Sequence, residues 1–149
     1  MTSCPRCQKV LTLHGQGLLR CAEHGLYVPE SILRRRASYQ VAAVLMSALS
    51  SGGSSGSRCA SCASETRIAT IPLPEDARAS GHGCVKCGGW WFDAADIERV
   101  RASMLSRPTG ATTRAVGGYG GTSRARVGGE WPLAEGLFAV LQRAGAFES

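Results

Sequence analysis

The spacing of the cysteines restricts this chain more than any other feature. Cys4 and Cys7, Cys21 and His24, Cys59 and Cys62, and Cys84 and Cys87 form four clusters of C-x-x-[CH] type, which use all seven cysteines and one of the three histidines. A C-x-x-C turn brings two sulfurs to one metal, and two such turns complete the four-coordinate shell that structural zinc prefers. Eight donors taken as nearest pairs make two sites: Cys4, Cys7, Cys21 and His24, then Cys59, Cys62, Cys84 and Cys87. Two Zn²⁺ ions are the expectation, although tetrahedral sulfur suits iron as well at the four-cysteine site.

Other uses of the cysteines fit poorly. Seven is odd, so a disulfide framework would strand one thiol, and the start of the chain lacks the apolar core of a signal peptide. The flanks supply no βαβ context for a thioredoxin-type motif. The longest apolar stretch, Val41 to Leu49, is interrupted by Ser47 and falls short of the ~20 residues that cross a membrane. A cytoplasmic protein without a membrane partner is the expectation. The formal charge of +6 invites a nucleic-acid partner, but seven thiolates subtract seven charges and two divalent ions return four, which leaves +3. Catalysis finds no motif: there is no H-E-x-x-H, phosphate loop or G-x-S-x-G, and the cysteines are all engaged. Neither an enzyme nor a small-molecule substrate is expected.

The pattern predicts a small metal-stabilised α+β fold, with two sequential β-hairpin knuckle units each followed by a helix. Residues 1–30 form the first unit, with strands at Val10 to Leu13 and Gly17 to Arg20 around a His14–Gly17 turn. Residues 31–50 form a helix with Leu33, Ala37, Val41, Val44, Leu45 and Ala48 as its stripe. The Ser/Gly run at 51–58 reads as a flexible linker. Residues 59–105 form the second unit, with a strand at Arg67 to Ile71 ended by Pro72 and Pro74, and a helix capped by Asp93 that turns Ile97, Val100 and Met104 inward. Residues 106–130, rich in Gly and Arg, read as a disordered arm, and 131–146 as a C-terminal helix entered at Pro132. Aromatics make up only 6% of the chain, so metal rather than an apolar interior is expected to supply most of the folding energy. The units also repeat: Tyr27 and Trp91 follow Cys21 and Cys84 by six and seven residues, and Leu33 and Ile97 by twelve and thirteen.

The run Cys84-Val-Lys-Cys-Gly-Gly-Trp-Trp-Phe-Asp93, continued by Asp96 and Ile97, resembles the transcription factor IIB-type zinc-ribbon family of small bacterial proteins. Cys59, Cys62, Cys84 and Cys87 match its metal ligands, and Gly89, Trp91, Asp93, Asp96 and Ile97 match its tail. The likeness covers residue 59 to about residue 100, with a weaker echo over 4–33 where His24 replaces a cysteine. The proline that the family carries after its first cysteine is absent after Cys59 and present as Pro5. The resemblance implies a zinc-ribbon fold and an association with transcription.

Three readings of function follow. The first is a non-enzymatic adaptor for another protein, docking through an exposed Trp90 or through Leu137, Phe138 and Leu141 of the C-terminal helix; the helix has the alternative of folding back on the first one. The second is nucleic-acid binding through Arg34, Arg35, Arg36 and the arginines of the arm. The third is a thiol-based redox or metal-responsive switch at the first site. His14 and His82, each beside a glycine, read as loop residues rather than ligands.

Overall fold

A computed structural model describes residues 2–36, 39–106 and 132–147. Their strands are β1 (Thr12–His14), β2 (Leu18–Cys21), β3 (Gly25–Val28), β4 (Ser54–Arg58), β5 (Glu65–Pro72), β6 (Arg78–Gly83) and β7 (Trp90–Asp93). The helices are α1 (Glu30–Arg36), α2 (Tyr39–Ser51), α3 (Ala94–Leu105) and α4 (Pro132–Arg143), with a short 3-10 turn at Pro74–Asp76. Ala37 and Ser38, inside the helix expected over 31–50, lie outside the described residues, as does nearly all of the expected arm. Among the described residues no helix is long and apolar enough to cross a membrane.

All seven strands form one antiparallel sheet in the order β1-β2-β3-β7-β6-β5-β4. The two sequential units, expected to be joined by a flexible linker, therefore share one sheet. Their last strands, β3 and β7, pair directly, with Gly25 opposite Asp93, Leu26 opposite Phe92, Tyr27 opposite Trp91 and Val28 opposite Trp90. Each unit alone would present a bare edge strand, and the pairing satisfies both edges at once.

The run expected as a flexible linker is the second correction. Ser54–Arg58 is an edge strand on β5, with Ser54 opposite Arg67 and Arg58 opposite Glu65 and a register shift between them. Serine and glycine offer little apolar surface, but backbone pairing and hydroxyls hold them here. Ser55 Oγ lies 2.5 Å from Thr66 Oγ1, and the Ser54 hydroxyl donates to Glu65 over 2.9 Å.

Alternation along β3 and β7 sorts their side chains into two layers, as the period of two requires. Leu26, Val28, Trp90 and Phe92 face the helices, and Trp90 stacks on Phe92 at 6.0 Å. Tyr27 and Trp91 face the other way, among the cysteines. On the helical side Leu33, Leu45, Leu49, Ile71, Val100, Leu137 and Leu141 join one apolar core. The small interior expected from the composition is thus wrong: each segment is poor in apolar residues, but five strands and four helices contribute to a shared layer. Helix α4 packs on α1, α2, α3 and β5, so the fold-back alternative holds. Burial of Leu137 at 1% and Leu141 at 0% removes them as docking residues, and Trp90, at 1%, is no exposed platform. Phe138 is half-buried and packs at 5.4 Å against Phe147.

Candidate metal centres

Three of the four clusters adopt the same turn. The N–H of Cys4 donates to the Lys9 carbonyl (2.9 Å) while that of Gln8 returns to the Cys4 carbonyl (2.8 Å). Cys59 with Ser64 and Ala63 repeats the pair at 2.7 and 3.0 Å, and Cys84 with Gly89 and Gly88 at 2.9 and 2.8 Å. Each turn closes through a left-handed residue, Gln8 (φ 68), Ala63 (φ 62) or Gly88 (φ 80). Inside each, an amide donates to the first sulfur: Arg6 to Cys4 at 3.3 Å, Ser61 to Cys59 and Cys87 to Cys84 both at 3.4 Å. Such bonds favour thiolate over thiol. The fourth cluster differs, because Cys21 and His24 close the β2–β3 hairpin with Cys21 opposite Gly25.

The turns bring the donors together as the spacing predicts. Within each set all four donor atoms lie within 4.8 Å of one another. In the first, Cys7 Sγ is 3.8 Å from Cys21 Sγ, and His24 Nδ1 is 3.8 Å from Cys4 Sγ and 3.5 Å from Cys21 Sγ. In the second, Cys59 and Cys87 are 3.4 Å apart and Cys62 and Cys84 3.5 Å. A tetrahedron with metal–sulfur bonds near 2.3 Å has an edge of about 3.8 Å. The sulfurs fit that shell, and none is bridged to another.

Sulfurs this close do not ionise independently. Burial pushes Cys4 up to about 11 and Cys59 up to about 12, and also raises Cys84. Burial opposes ionisation of Cys21 too, but the Glu23 N–H and the His24 ring outweigh it and bring Cys21 down to about 6. Bonds from the Ser64 hydroxyl and N–H do the same for Cys62, also to about 6. Each site thus pairs one sulfur poised as thiolate with buried thiols, Cys4 in the first and Cys59 and Cys84 in the second, that ionise readily only beside a cation.

Both sites lie on one face of the sheet. Cys4, Leu11, Cys21, Tyr27, Cys59, Ala60, Cys84 and Trp91 form a single buried cluster, and the Ser3 N–H donates across it to the Ala60 carbonyl at 3.0 Å. Asp93, read from sequence as a helix cap, does not cap with its side chain. It takes a two-pronged bond from Arg6 (3.1 and 2.7 Å) and one from the Trp91 indole (2.9 Å), tying the first knuckle to the second unit. Burial works against the Asp93 charge, yet Arg6 and Trp91 hold its carboxyl below the usual range. His82 is not a loop residue but a buried member of β6, with Nε2 3.8 Å from Asp93. The His14 ring N–H donates to the Ala146 carbonyl at 3.0 Å, fastening the end of the chain. Sequence reasoning missed Arg6 and Tyr27, since neither carries a motif; the Tyr27–Trp91 correspondence was the one available signal.

Arg34 and Arg35 are exposed, but both turn back on their own helix, Arg34 to the Glu30 carboxylate and Arg35 to the Ser31 carbonyl at 3.4 Å. The Arg36 side chain and the arginines of the arm lie outside the described residues. An apolar cleft beside the second site is lined by Leu33, Arg34, Met46, Val85 and Lys86, with Met46 and Val85 more than half exposed. Comparison of the chain with protein-family models, curated proteins and solved structures gave no match.

Proposed function

We infer that this is a tandem zinc-ribbon protein with one Zn²⁺ in each four-donor site, working without catalysis as an interaction module for another protein. The closed donor geometry carries the reading. Sulfurs 3.4 to 3.8 Å apart with one imidazole nitrogen match the shell of structural zinc, and a shell of four protein ligands leaves no open position for water or substrate. The shared turns at Cys4, Cys59 and Cys84 and the resemblance of residues 59–100 to transcription factor IIB-type ribbons support a tandem design and a role near transcription. Metal-bound thiolates suit the reducing cytoplasm. The cleft around Met46 and Val85, rimmed by Arg34 and Lys86, replaces Trp90 and the C-terminal helix as the docking surface of this reading.

The test has two arms. Elemental analysis of purified chain is expected to give two zinc ions per molecule; iron at the four-cysteine site or no metal at all contradicts it. Affinity purification from the native cell, with and without nuclease, is expected to retain a protein partner that Met46→Asp with Val85→Asp releases. Loss of all partners on nuclease treatment would favour nucleic acid instead, with the exposed Arg34 and Arg35 as contacts.

A further inference from the structure

The β3–β7 pair joins the two halves at equivalent positions. Tyr27 and Trp91, which correspond in the repeat, face each other, while Leu26 opposes Phe92 and Val28 opposes Trp90. The halves therefore meet about a local two-fold axis through the Tyr27–Trp91 pair. Both aromatics lean across that axis onto a glycine of the other half. A Cβ on Gly25 would meet a Trp91 ring carbon at 3.0 Å, and one on Gly89 would meet the Tyr27 hydroxyl oxygen at 2.0 Å.

The symmetry breaks at the polar ends. The Trp91 indole turns to Asp93, whereas the Tyr27 hydroxyl reaches a metal-ligand candidate of the opposite half, with Oη 3.6 Å from Cys87 Sγ. Tyr27 is 4% exposed, so its hydroxyl is shut away from solvent. A metal-bound thiolate carries no proton and can only accept, so the phenol O–H is the donor.

We propose that Tyr27, carried by the first half, is a positioning residue for the zinc of the second site, donating its hydroxyl proton to Cys87, and that the two sites load as a coupled pair as a result. Tyr27 lies three residues beyond His24, so filling the first site fixes the turn from which β3 departs and sets the hydroxyl in place. The Ala94 N–H, donating to the His24 carbonyl at 2.8 Å, braces that turn from the second half in return. Outer partners that orient a metal ligand are commonly worth 10- to 100-fold in metal affinity. This inference rests on the zinc reading above.

The experiment is a zinc titration of the full chain against a chromophoric chelator, with native mass spectrometry counting bound ions. In the parent chain the one-zinc species is expected to stay below its statistical share. Tyr27→Phe keeps the ring but removes the donor, and should weaken the second site about 10- to 100-fold, leave the first unchanged and make the one-zinc species dominant. With Co²⁺ in place of zinc, the sulfur-to-metal charge-transfer band of the variant should move to lower energy, a shift that loss of packing alone would not give. Independent filling by the parent overturns the proposal without any variant. Parental affinity and an unmoved band in Tyr27→Phe overturn it alone, whereas a parent chain that takes up no zinc overturns the zinc reading with it.

Discussion

At the scale of the residue, each site is four donor side chains together with the neighbours that hold them in place. A cysteine pair with two residues between its members announces its role because few other arrangements need it. The supports are ordinary residues made special by position, such as Arg6 and Asp93. The three shared turns also make a direct test of backbone chemistry. Gln8, Ala63 and Gly88 hold the same left-handed place, yet only one is glycine. Left-handed backbone costs an L-residue roughly 1–2 kcal/mol, and glycine returns about 0.5–1 of that in unfolded-chain entropy. Ala63→Gly is therefore expected to stabilise the zinc-loaded protein by about 0.5–1 kcal/mol, and Gly88→Ala to destabilise it, since its Cβ would also meet Glu30 Cγ at 2.6 Å. Chemical denaturation of both variants checks this; shifts of the same sign would contradict it.

At the scale of the element, periodicity and turn signals identified β1, β2, β5 and the helices, but not the other strands or which strands are neighbours. On α4 and the turn after it, Leu133, Leu137, Val140, Leu141 and Ala144 recur at helical spacing, and every one of these is buried. A stripe, however, looks the same whether it faces a partner or its own core. Leu137, packed in the helical layer, supplies the measurement: Leu137→Ala is expected to cost about 2–5 kcal/mol in folding stability, read from the denaturation midpoint. A loss under about 0.5 kcal/mol would mean that α4 is dispensable to the fold and free to dock elsewhere. β4 was hidden for the opposite reason. Its Ser/Gly sequence has linker composition, and only pairing with β5 makes it a strand.

At the scale of the whole molecule, the sheet separates an apolar layer from a metal layer, and the fold draws on both. The titration of the cysteines exposes the second layer to measurement. In the metal-free protein Cys4 at about 11, Cys59 at about 12 and the raised Cys84 are all protonated at pH 7.5. Zinc must displace these protons, so loading both sites is expected to release at least three, and apparent affinity should climb as pH rises. Calorimetry in buffers of different ionisation enthalpy counts them; an uptake heat independent of buffer would exclude thiolate ligation. The same competition means that zinc affinity weakens as the solution is acidified.

The sequence by itself determined which eight side chains gather, how they divide into two sets, and roughly where the helices begin, because ligand spacing and side-chain periodicity are local properties. Tertiary structure decided the rest. Only the antiparallel pairing of β3 with β7 turns two knuckle units into one sheet, buries Trp90 and carries Tyr27 to Cys87. That pairing satisfies two strand edges far apart in the chain through backbone groups, which every residue possesses alike and which no motif records.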